Sequence, residues 1–129
     1  MVIDSSAIVA ILAQEADALV YARAIERDRA PLISAATVLE ATLVLTRWFG
    51  DGADREVDAF LHAAAAEIVP FDAVQLRLAT QAYLQFGKGR HPAGLNFGDC
   101  MSYALAKATG EPLLSKGDDF ARTDMRSAL

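Results

Sequence analysis

The chain has one cysteine and two histidines, and no uninterrupted apolar run reaches the length of a membrane span. The lone thiol, Cys100, excludes an internal disulfide and suits a reducing cytoplasm. Neither histidine lies near a Gly-x-Ser-x-Gly turn, so a serine or cysteine nucleophile has no base to serve it. Cys-x-x-Cys, His-Glu-x-x-His and histidine clusters are missing, which removes the argument for zinc. The Walker loop and the Gly-x-Gly-x-x-Gly dinucleotide loop are missing too. Asp4 breaks the apolar start almost at once, so no signal peptide is expected. Positive charge is in deficit: 12 Lys and Arg face 17 Asp and Glu, a net charge of −5. General nucleic-acid binding needs positive charge to meet phosphates. Any such role must therefore rest on a local basic patch, on metal ions, or on both. No repeat or linker divides residues 1–129, which are expected to form a single domain.

What is present alternates. Apolar residues make up 53% of the chain, enough for a real core at 129 residues. Short apolar stretches at 1–3, 31–33, 67–70 and 113–115 read as strands. Longer periodic stretches at 5–12, 15–29, 35–49, 53–66, 73–86 and 99–107 read as helices. In 15–29, Leu19, Ala22 and Ile25 are expected to share the inward face; in 73–86, Leu78, Ala79, Ala82, Tyr83 and Phe86. His62 falls off the apolar face of its helix and is expected at the surface. The tail 123–129 reads either as a short edge strand or as a frayed end. Strands alternating with helices indicate an α/β fold with a mainly parallel sheet.

Acids punctuate this pattern. Asp4 follows the first strand and, with Ser5 and Ser6, caps the next helix. Asp99 follows an Asn96-x-Gly98 turn and opens a helix, where free N–H groups and the helix dipole favour a carboxylate. Glu40 lies inside helix 35–49, whose apolar residues run nearly all the way round, as on a helix that is deeply buried or faces a partner. A carboxylate there needs a solvent cleft, a cation or a metal, or else a salt bridge such as one to Arg47. Asp118 and Asp119 follow the last strand. If strands 1–3 and 113–115 are parallel neighbours, these acids meet at one rim, where open α/β sheets bind ligands. Clustered carboxylates call for counter-charge, and oxygen-only ligands favour magnesium or manganese. Such a site suits phosphodiester hydrolysis. Gly87-Lys88-Gly89-Arg90-His91-Pro92 is the only concentrated basic stretch: its glycines admit a phosphate and Lys88 and Arg90 neutralise it.

Four blocks together resemble a known family. Met-Val-Ile-Asp-Ser-Ser-Ala-Ile-Val-Ala at the start, Ala-Ala-Thr-Val-Leu-Glu-Ala mid-chain, Gly-Lys-Gly-Arg-His-Pro-Ala-Gly-Leu-Asn-Phe-Gly-Asp-Cys, and Leu-Leu-Ser-Lys-Gly-Asp-Asp-Phe are similar in order and spacing to the VapC toxins, which have PIN domains. The resemblance spans essentially the whole chain. It implies a three-layer α/β/α sandwich with a mainly parallel sheet of four to five short strands. It implies a magnesium-dependent endoribonuclease, with manganese as the alternative ion. It also implies a cognate VapB-type antitoxin and a homodimer within the toxin–antitoxin complex. Position by position, Asp4 and Asp99 match the main metal ligands and Glu40 matches the second acid. Ser6 matches the small hydroxyl that orients Asp4. Relatives carry Thr-x-Asp or Thr-x-Asn after the last strand. By that resemblance Gly117 falls in the acid's slot, so Asp118 is the expected fourth acid and Asp119 the reserve. Lys88 and Arg90, with Lys116, are expected to guide RNA. Two other readings compete: a non-catalytic module whose acidic rim docks a basic peptide, and a phospho-acceptor receiver domain. The second lacks the acid pair that such domains carry after the first strand, since Asp4 is followed by Ser5 and Ser6.

Overall fold

A computed structural model describes residues 1–129. Its four strands are β1 (Val2–Ile3), β2 (Leu32–Ser34), β3 (Glu67–Val69) and β4 (Leu113–Leu114). They pair in the order β3-β2-β1-β4, every pair parallel. Six helices complete the chain: α1 (Ser5–Leu12), α2 (Ala18–Arg27), α3 (Ala35–Phe49), α4 (Ala53–Ala63), α5 (Ala73–Phe86) and α6 (Phe97–Thr109). None is long and apolar enough to cross a membrane.

β1 and β4 are apolar and buried on both faces because helices cover both, whereas the edge strand β3 exposes Glu67 and Ile68. Successive strand residues point to opposite sides. Ile3, Ile33 and Leu114 pack with Ile8, Tyr21, Ile25, Ala41, Leu45, Val57 and Leu61 from α1–α4. Val2 and Leu113 pack with Ala79, Ala82 and Phe86 of α5 and with Tyr103, Ala104 and Leu105 of α6. The result is the three-layer sandwich that the resemblance implies. The tail joins β4 through one bridge, Leu113 to Ser127, and adds no full strand.

Local chemistry sets most boundaries. Ser34 ends β2 and also caps α3, its side chain accepting from Ala36 N–H. Asp72 caps α5 by accepting from the N–H groups of Val74 and Gln75. Gly110, at φ 72°, closes α6 ahead of Pro112. Three expectations need correction. The second helix starts at Ala18 rather than 15, and its inward stripe is Tyr21 and Ile25, one turn apart on the same face. Leu19 is 68% exposed. The fourth helix stops at Ala63, because Ala65 turns to φ 49°. On α5, Gln75 is buried, with Nε2 donating to the Pro70 carbonyl at 2.7 Å, whereas Tyr83 is exposed.

One polar contact ties α3 to α6. The hydroxyls of Thr37 and Ser102 lie 3.1 Å apart, and both residues are fully buried. Thr37 sits one turn before Glu40, and Ser102 one turn after Asp99, so this bond fixes the two helices that carry those acids. Ser102→Ala should strand the Thr37 hydroxyl and lower stability in urea titration by about 1–3 kcal/mol. Adding Thr37→Val should cost less than the sum of the single changes.

Candidate active site

Because every strand runs the same way, the residues that follow β1, β2 and β4 emerge at one rim. The strand order switches at β1, which has β2 on one side and β4 on the other, the point where open sheets leave a crevice. Asp4 continues the β1–β4 ladder, its N–H donating to the Leu114 carbonyl at 2.9 Å. The residue is only 2% exposed. Its Oδ2 accepts from Ser6 N–H at 3.0 Å and from the Ser6 hydroxyl at 2.5 Å. Ser6 Oγ in turn accepts from Lys116 N–H, just beyond β4, at 2.9 Å. The loop after β4 is thereby linked through Ser6 to the carboxylate. Oδ1 of Asp4 is buried without any partner.

Asp99 is the third residue of α6 and closes a capping box. It accepts from Asn96 N–H at 2.7 Å, and its own N–H donates to Asn96 Oδ1 at 3.0 Å. Burial, reinforced by the charges of Asp4, Asp119 and Glu40, pushes its carboxyl up to about 6; the Asn96 N–H pulls the other way. Glu40 is half-buried on α3, and its Oε2 has no hydrogen-bond partner. Burial raises its carboxyl above the usual range and the charge of Asp4 adds to this, while the Ser5 hydroxyl opposes them. No ion pair with Arg47 forms.

Asp4, Glu40 and Asp99 therefore share one rim, and the charges of Asp4, Asp119 and Glu40 all act on Asp99. Asp118 and Asp119 are both exposed, and of the two only Asp119 is among the charges acting on Asp99. Both come from neighbouring positions in one turn, and the sequence carried no signal to choose between them. Lys116 is not free to guide RNA: its ammonium is held by Glu15 and by Asp17, the latter at 2.7 Å. It pins the loop after β4 to the turn between α1 and α2. Lys88 lines a groove of about 600 Å³ with Asn96 and Phe97, beside the start of α6. Arg90 lies in the same loop, exposed, with Nε donating to the Leu84 carbonyl at 3.3 Å.

The residues present fit a hard divalent cation. Two buried carboxylate oxygens lack partners, and the donors are all oxygen. His91 packs edge-on against Phe86 and accepts from Ala93 N–H. Burial, with the charge of Asp99 adding to it, pushes the Cys100 thiol up to about 11, so it is no thiolate ligand at neutral pH. The acids stand apart: no three of them are close enough to hold an ion between them.

The Asp99 shift has a sign. The folded chain holds the Asp99 proton more tightly than the unfolded one, from the ordinary 3.8 up to about 6. This group's contribution to stability therefore falls as pH rises through that window, and above it the carboxylate is a standing cost. In EDTA at pH 7.5, Asp99→Asn should be more stable than the parent by about 1–2 kcal/mol. That is below the roughly 3 kcal/mol that a fully buried group with such a shift would give. Urea titration at pH 7.5 and near pH 4 checks this: the advantage should shrink towards the lower pH.

The family model described as the PIN domain matches residues 1–125. Ribonuclease VapC30 of Mycobacterium tuberculosis is 51% identical over 125 residues, covering 97% of this chain and 95% of that protein. Ribonuclease VapC of Mycolicibacterium smegmatis is 50% identical over 125 residues, covering 97% of each chain. The crystal structure of M. tuberculosis VapC20, described as a sarcin–ricin loop cleaving toxin, superposes with a TM-score of 0.78 at 16% identity. It covers 96% of this chain and 95% of its own. A toxin–antitoxin complex from Klebsiella pneumoniae gives 0.71 at 14% identity, covering 95% and 92%. These two likenesses speak for the fold, and the sequence matches carry the rest. The chain belongs to the PIN-domain family and, within it, to the VapC ribonucleases, the divalent-metal-dependent toxins of toxin–antitoxin pairs.

Proposed function

We propose that this chain is a cytoplasmic endoribonuclease toxin that hydrolyses RNA phosphodiester bonds with magnesium, or manganese in its place. Asp4 and Asp99 hold the ion, and Glu40 and Asp119 complete the site. The supporting observation is the pair of buried, unpartnered oxygens, Asp4 Oδ1 and Glu40 Oε2, in the company of a third acid whose proton is held up to about 6. Groups that would repel one another in a metal-free rim are the groups a hard cation needs. The ion, when bound, supplies the Lewis acid that activates water and neutralises charge on the phosphate.

The chain's own residues do the rest. Ser6 holds Asp4 in one orientation through two hydrogen bonds to Oδ2, which leaves Oδ1 for the cation. The capping box holds Asp99 in the same way. Glu40 Oε2 orients the attacking water and takes its proton, a task that a raised carboxyl suits. Lys88 and Arg90 bring the RNA backbone alongside the start of α6. An antitoxin is the partner, and an antitoxin Arg or Lys seated among the acids would stand in for the ion and inhibit.

α3 also presents Leu39 and Leu43 to solvent, at 59% and 61% exposure, with Trp48 and Phe49 exposed at its end. Exposed apolar surface of this kind marks an interface. We assign it to a second copy of the chain within the toxin–antitoxin complex.

Purified protein should cut RNA in magnesium and stop in EDTA. Asp99→Asn should abolish cleavage with the fold intact, and Asp119→Asn should lower the rate more than Asp118→Asn. A parental rate for Asp99→Asn would defeat the assignment of Asp99. Cleavage by partner-free protein removes the docking-only alternative. Leu43→Glu should shift the chain to monomer in light scattering while leaving its circular dichroism unchanged.

A further inference from the structure

Gly98 is the second residue of α6, buried, with ordinary right-handed backbone. Six of the eight glycines adopt positive φ, which only a residue without a β-carbon adopts readily. Gly98 does not, so no turn requires a glycine there. Helix propensity argues against it as well, since glycine is the weakest helix former after proline. Space alone requires it. A β-carbon built at position 98 would fall inside the Glu40 carboxylate, overlapping Oε1, Cδ and Oε2.

The obstructed group is the far end of a flexible side chain, which yields more cheaply than backbone. A methyl group at 98 would turn the Glu40 carboxylate outward along α3 and leave the backbone in place. Leaving would also relieve that carboxylate of its burial and of the nearby charge on Asp4. The present position of Glu40 is thus one that the side chain would not choose if the seat were filled.

We infer that Gly98 is a positioning residue for the metal site: its missing side chain is the seat that keeps the Glu40 carboxylate beside Asp4 and Asp99. The inference rests on the reading that Glu40 belongs to that site. It makes Gly98→Ala a variant that damages the site and spares the fold, the reverse of a packing glycine.

Manganese binding without RNA, followed by isothermal titration calorimetry, tests it on the parent, Glu40→Ala, Gly98→Ala and the double variant. Each single change should weaken binding by about tenfold or more. The double variant should be no worse than the weaker single, because both act through one carboxylate. In EDTA, Gly98→Ala should melt no lower than the parent, and it should raise the melting temperature in the Glu40→Ala background, where nothing obstructs the methyl group. Parental affinity in Gly98→Ala beside weakened Glu40→Ala overturns the seat and leaves the metal reading standing. Parental affinity in Glu40→Ala overturns both. Multiplying losses in the double variant, or an equal drop in melting temperature in both backgrounds, shows that the methyl group meets something other than Glu40 and also overturns the inference.

Discussion

A carboxylate is 2% exposed at the end of β1, with one of its oxygens hydrogen-bonded and the other unpartnered. Burying such a group without compensation is expensive. The rest of the rim adds like charge, with Asp4, Asp119 and Glu40 acting on Asp99 and Asp4 acting on Glu40. A fold optimised only for stability would have used neutral caps here, because serine or asparagine would hold the same helix starts. The acids make sense as one half of an interaction whose other half is a cation. Strain of this kind collects where chemistry is done.

The supporting parts are arranged so that the acids cannot escape it. Ser6 clamps Asp4 and is itself seated on the backbone beyond β4. The Lys116 ammonium, gripped by Glu15 and Asp17, ties that same loop to the turn after α1. The Thr37–Ser102 pair holds α3 against α6, and with them Glu40 against Asp99. Each device is a short polar contact between segments far apart in the chain. Such preorganised support is what distinguishes a site from a chance cluster of charges.

The electrostatics also reconcile a chain of net charge −5 with an RNA substrate. The acids are gathered at the rim, where a bound cation offsets them. Lys88 and Arg90 stand in the loop that leads into the Asp99 helix. Local fields over a few ångströms, rather than the overall charge, decide what reaches a cleft at physiological ionic strength. The exposed apolar residues of α3, Leu39 and Leu43, flank Glu40 and leave a second surface for protein contacts.

Much was legible from residue order alone. Helix caps announced themselves at Asp4 and Ser34, since a side-chain oxygen bonding the next turn's N–H is a local event. The bounds of α3 and α5 followed from their apolar period and from the breakers beyond them. The alternation of elements set the α/β class, and four blocks at fixed spacing pointed to the family. Tertiary structure decided what depends on partners distant in sequence. It brought the charge of Asp119, from the turn after β4, to bear on Asp99 at the start of α6. It turned Lys116 from an RNA contact into a staple, because Glu15 and Asp17 lie about a hundred positions away. It exposed Leu19 in favour of Tyr21, because only the packed neighbours say which side of a helix is inward. It also gave Gly98 a reason to be glycine, in a clash with a side chain of another helix that no local pattern encodes.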